Sequence, residues 1–111
     1  MAKQPNSAAY LETHGAALYR AGKYREAQGQ LHAAVKKGGG EGNVWQQCFL
    51  AMTNQRLGYD FEARAWLTKA VRQMEEASKP GWESRTMWHY LRQDTEQTLG
   101  WRVPRNEQGP K

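Results

Sequence analysis

The residues of this 111-residue chain that could do chemistry are three histidines, one cysteine and a run of glycines. His14, His32 and His89 stand far apart, with no His-Glu-x-x-His and no Cys/His cluster, so zinc-binding spacing is missing. Cys48 as a nucleophile needs an activating histidine or a helix N-terminus. It falls near the first turn of a predicted helix but has no sequence-adjacent partner, so it reads as a small, half-buried thiol. Gly38-Gly39-Gly40 shares only its glycine content with a phosphate loop, because no strand precedes it and no Gly-Lys-Ser/Thr follows. It is assigned as a linker. The chain is therefore expected to be non-enzymatic and to carry no cofactor or metal.

The elements that would position these residues are helices. In residues 8–34 the apolar residues Leu11, Leu18 and Ala21, and then Ala27, Leu31, Ala34 and Val35, recur at three- and four-residue steps. That is the periodicity of a helix with one buried stripe. His14 falls on the first stripe and is expected to be a hydrogen-bonded core residue. Gly22 suits the left-handed turn that ends the first helix of a hairpin. The pattern returns in residues 43–74, where Gly58 lies 36 residues beyond Gly22. At that offset Glu26-Ala27 falls on Glu62-Ala63, Leu31 on Leu67, Ala34 on Ala70, Val35 on Val71 and Gly15 on Ala51. A period in this range marks stacked helical hairpins.

Helices are expected at about 8–20, 24–37, 44–57, 61–77 and 82–99, with N-caps at Asn6 or Ser7, at Asn43 and at Asp60. Gly29 lies opposite its helix's apolar stripe and should face solvent, where it costs about 1 kcal/mol relative to alanine. The fifth helix, with Ser84, Met87, Trp88, Leu91, Thr95, Thr98 and Leu99 on one side, should cover the open end of the stack. Ser78-Lys79-Pro80-Gly81 ends the second hairpin. Residues 1–6 are expected to fray, and residues 100–111, with Pro104, Gly109 and Pro110, to form a disordered tail.

Composition narrows the class. The length suits one domain. Mean hydropathy is −0.95, and no run approaches the roughly 18 apolar residues of a membrane span. Residues 1–7 show no apolar secretory segment. The single Cys48 excludes an internal disulfide and fits a reducing, cytoplasmic setting. Sixteen Lys and Arg against eleven acidic residues give a net charge of +5. These charges are interleaved along the chain, so they read first as a solvated surface.

The residues at the 36-residue period resemble the tetratricopeptide repeat. Its pattern of large residue, small residue, large residue, glycine turn, alanine, bulky residue and alanine is met by Leu11, Gly15, Leu18, Gly22, Ala27, Leu31 and Ala34. The second copy departs at Gln47 and Asn54, where large apolar residues are usual. FLAM at 49–52, RLG at 56–58, EARAWL at 62–67 and a Trp-Glu-x-Arg opening at Trp82 look like the repeat segments appended to large bacterial serine/threonine kinases and related signalling proteins. No kinase glycine loop, catalytic Asp loop or DFG accompanies them. The resemblance implies an all-α solenoid fragment over residues 7–99: repeats at 8–42 and 43–79 and a capping helix at 82–99.

It also implies non-catalytic protein–protein interaction, as a scaffold or adaptor, with the first helix of each hairpin lining a concave groove. With Leu50 at the centre of the buried side, 100° steps put Trp45, Met52 and Arg56 on the far side, flanked by Cys48 and Phe49. The equivalent positions of the first helix are Ala9, Ala16 and Arg20, flanked by Glu12 and Thr13. Such a groove would hold a peptide or a helix. Some tetratricopeptide modules grip a C-terminal carboxylate through Lys and Asn, but Glu12 and Ala16 stand in the first repeat's share of that site. One alternative is RNA binding, given a pI near 9.6, although Trp45, Met52 and Ala16 are not the polar base-readers such repeats use. Another is a structural piece of a larger signalling protein, and self-association is a further option for so short an array.

Overall fold

The computed structural model describes residues 8–104 apart from 39, 41 and 77–81. The expected cap at Asn6 or Ser7, the frayed N-terminus, the turn at residues 78–81 and residues 105–111 of the tail lie outside the described residues. The fold is all-α, with five helices: α1 (Ala8–Arg20), α2 (Tyr24–Lys37), α3 (Val44–Arg56), α4 (Asp60–Glu76) and α5 (Trp82–Leu99). Among the described residues there is no strand, and no helix is long and apolar enough to cross a membrane.

α1 and α3 each pair with the helix that follows, and the two hairpins repeat in detail. Both hinges place a glycine in the left-handed region, Gly22 at φ 83° and Gly58 at φ 89°. The next amide reaches back to close the helix end: Lys23 N–H donates to Leu18 O at 2.9 Å, and Tyr59 N–H to Asn54 O at 2.8 Å. These bonds satisfy carbonyls that a helix C-terminus otherwise leaves without partners. α5 ends the same way, with Gly100 at φ 66° and Trp101 N–H bonded to Glu96 O at 3.3 Å.

Small residues set how closely each pair approaches. A Cβ on Gly15 would meet Leu31 Cγ at 2.7 Å, so α1 and α2 touch where the sequence has no side chain. Ala51 fills the matching place in α3 and is fully buried. On the opposite side of α2, nothing lies within 4 Å of a Cβ on Gly29.

α3 is the centre of the molecule. It packs against α2, α4 and α5, and more lightly against α1. Every residue from Gln46 to Asn54 is buried, so no open side remains over those nine positions. Most of their polar groups have partners, Gln47 Oε1 being the buried oxygen that accepts no hydrogen bond from the described residues. Asn43 caps the helix in a reciprocal box, its Oδ1 accepting from Gln46 N–H at 2.8 Å while Gln46 Oε1 accepts from Asn43 N–H at 3.1 Å. Gln47 Nε2 donates to Gly42 O at 3.3 Å, and Thr53 Oγ1 to Phe49 O at 2.7 Å. Asn54 donates to Leu50 O and accepts from Gln28 Nε2 of α2, both at 2.8 Å. Gln47 and Asn54 therefore stand where apolar residues were expected and still pack, because each finds a partner within reach.

Three apolar clusters form the core. Ala16, Leu31, Val35, Phe49, Leu50 and Met52 fill the space between the hairpins. Ala51, Ala63, Leu67, Val71 and Leu99 form a second cluster, against which Trp101 and Val103 pack. Val44, Cys48 and Ala70 form the third, covered by Met74, Trp88 and Leu91. Thr95 and Leu99 of α5 are buried, whereas Met87 is half exposed and lies off the contact. Trp101 and Val103 also depart from the expected disordered tail, since both are partly buried on the second cluster.

Candidate functional site

Of the eight residues expected to line a groove, three belong to the interior. Ala16 and Met52 sit in the first core cluster, Met52 with only 1% of its surface exposed. Cys48 sits in the third, fully buried. The helical wheel assigned Met52 to an open side because it lies opposite Leu50, but α3 has neighbours on both of those sides. No open channel therefore runs along Ala16, Cys48 and Met52. Ala9 lies in the first turn of α1 and its side chain is not among those described. Glu12 is half buried and accepts from Gln46 Nε2 at 3.0 Å, which ties α1 to α3.

The remaining three, Trp45, Arg20 and Arg56, converge on one set of rings. Trp45 packs on Phe49 with centroids 4.3 Å apart, and Tyr19 of α1 meets the same ring edge-on at 5.7 Å. The Arg20 guanidinium lies over Phe49, its Cζ 5.7 Å from the centroid. Arg56 Nε donates to Tyr19 Oη at 3.4 Å, and that hydrogen bond raises the Arg56 pKa further above its already high value. Tyr24, at the start of α2, sets its ring tilted against Tyr19, with centroids 5.5 Å apart. Phe49 is buried, Tyr19, Tyr24 and Trp45 are half buried, and both arginines are exposed. The result is an aromatic floor with two cations on it, built across α1 and α3. The Arg20 guanidinium, held over a ring, keeps its N–H edges free for an acceptor, and Arg56, tied through Nε, keeps its two Nη groups, which suits the pair to carboxylate or phosphate.

Tyr19 and Tyr24 escaped the sequence reading. Their signal was present: both flank the hinge at Gly22, where a side chain can reach the neighbouring hairpin.

Burial pushes the Cys48 thiol up to about 11, and a hydrogen bond with Thr95 opposes that shift only in part. A thiol held neutral in this way is a packing group, not a nucleophile. His14 is exposed rather than in the core, with Nδ1 3.3 Å from Gln30 Oε1 and its ring tilted against Tyr10. His32 sets its ring edge-on to Trp66 at 5.8 Å, and desolvation there lowers its pKa. Among the described residues no group of His, Cys, Asp or Glu side chains converges to hold a metal ion.

Comparison of the chain with family models, curated proteins and solved structures finds no match.

Proposed function

We propose that this chain is a tetratricopeptide-like interaction module that binds a segment of another protein without catalysing a reaction. The observation that carries the reading is the Tyr19–Phe49–Trp45 ring cluster bearing Arg20 and Arg56, at the seam of the two hairpins. Half-buried aromatics next to arginine are the residue types that dominate the energetics of protein interfaces. The repeated hinges at Gly22 and Gly58 support the family resemblance, because stacked helical hairpins reuse one turn geometry. The buried free Cys48 fits a reducing compartment such as the cytoplasm.

The test is affinity capture on the immobilised chain, with bound proteins quantified by mass spectrometry for the wild type and for Trp45→Ala. Loss of a Trp anchor should weaken a specific partner by roughly tenfold or more, while the circular dichroism spectrum stays helical. A partner retained equally by both proteins would place the interface elsewhere. Preferential recovery of RNA, abolished by nuclease, would favour a nucleic-acid function.

A further inference from the structure

Arg20 and Arg56 are exposed cations with no carboxylate at ion-pair distance among the described residues. Among the described residues the one ion pair joins Arg92 to Glu96 within α5. Arg20 instead rests on the Phe49 ring, and Arg56 donates to the Tyr19 hydroxyl. Both side chains are therefore oriented by aromatic groups of the floor, and the floor is anchored by Phe49 in the first core cluster. Two fixed guanidinium groups beside partly apolar rings complement a segment that carries negative charge together with apolar surface. Residues 1–7 and 105–111 are not segments of that kind. Residues 1–7 carry Lys3, and residues 105–111 carry Arg105 and Lys111 against Glu107.

We propose that Arg20 and Arg56 hold the carboxylates of an acidic segment of a partner protein against the half-buried Tyr19 and Trp45 rings. The proposal rests on the reading of this face as a protein-binding surface and names the chemistry of its occupant. Asp94 of α5 lies close enough to act on Arg56 through space, and it is the neighbouring charge that an acidic segment would have to tolerate. Removing it should strengthen binding, a response that a purely structural pair of arginines would not give.

The probe is a fluorescein-labelled peptide of alternating glutamate and glycine, titrated with the full chain by anisotropy at about 50 mM salt, where screening is modest. Arg20→Gln and Arg56→Gln should each weaken binding roughly tenfold. Both side chains are exposed, so neither change opens the core. Arg72→Gln removes the same charge from the exposed side of α4 and should change affinity by no more than about twofold. Asp94→Asn should tighten binding. The matching lysine–glycine peptide should not bind.

Equal losses from all three arginine variants would show attraction to net charge alone and overturn the proposal. So would tighter binding of an oligouridylate with the same Arg20 and Arg56 dependence, which would assign the face to nucleic acid. If the acidic peptide fails to bind while Trp45→Ala still releases a captured protein, the occupant is wrong and the binding face stands. If Trp45→Ala also changes nothing, the face itself is wrong.

Discussion

Gly29 and Gly15 lie on neighbouring helices and should respond in opposite ways to the same substitution. Gly29→Ala places a methyl group in open space on an exposed helix position, so it gains helix propensity and lowers the entropy of the unfolded chain. Stability should rise by about 0.5–1 kcal/mol. Gly15→Ala drives the same methyl group to 2.7 Å from Leu31 Cγ, and the overpacking should cost about 1–3 kcal/mol. Urea titration of both variants checks the pair, and a gain at Gly15 would show that α1 and α2 can separate at little cost. Cys48 gives a pH signature. Its pKa rises from 9.0 to about 11 on folding, so its contribution to stability is complete below pH 9 and is lost as the pH climbs towards 11. Near pH 10.5 that loss should amount to about 2 kcal/mol. Comparing wild type with Cys48→Ala at pH 8 and pH 10.5 separates it from the titration of tyrosine and lysine. An identical pH dependence in the two proteins would mean the thiol is not desolvated.

Among the elements, α2 and α4 were the most legible. Each has one apolar stripe, and the stripe residues Ala27, Leu31, Ala34 and Val35, with their counterparts Ala63, Leu67, Ala70 and Val71, are all buried. The hinges were legible because only glycine adopts positive φ there without strain. α3 was legible in its span and its cap but not in its environment. A wheel drawn on the sequence assumes one buried side, and α3 is enclosed by α2, α4 and α5 with buried glutamine, threonine and asparagine among its apolar residues. Nothing in a single helix reports how many neighbours it has, so Met52 and Cys48 were assigned to a surface. Arg20 and Arg56 were legible as exposed first-helix positions, but the Phe49 and Tyr19 contacts that orient them become visible only once α1 and α3 are packed. Met52→Glu tests the element directly. A carboxylate forced into that core should cost several kcal/mol, enough to unfold a domain of this size. Loss of the helical signal at 25 °C is the expected result, and a folded Met52→Glu protein would mean that α3 has an open side after all.

At the scale of the whole molecule, the 36-residue spacing of Gly22 and Gly58 specified the architecture. The third hinge, at Gly100, was less legible, because α5 is longer than α1 and α3 and residues 101–104 after it form no helix. Trp101 and Val103 then lie on the cluster of Ala51, Ala63, Leu67, Val71 and Leu99, so a short stretch of chain covers apolar surface there. The Arg64 guanidinium over the Trp101 ring, at 5.1 Å, holds this stretch in place.

The enclosure of α3 bears on how the molecule opens. A linear array whose units touch only their neighbours can fray from either end, one repeat at a time. Here the second and third core clusters both mix residues of α3 with residues of the C-terminal helices, while the first joins α3 to α1 and α2. Neither α1–α2 on one side nor α4–α5 on the other can leave without uncovering α3. The amides of α3 should therefore exchange with deuterium only when the entire chain unfolds, at a rate that reports the global free energy, while those of α1 exchange through smaller local openings. Exchange in α3 that is faster than global unfolding allows would reveal two independent halves.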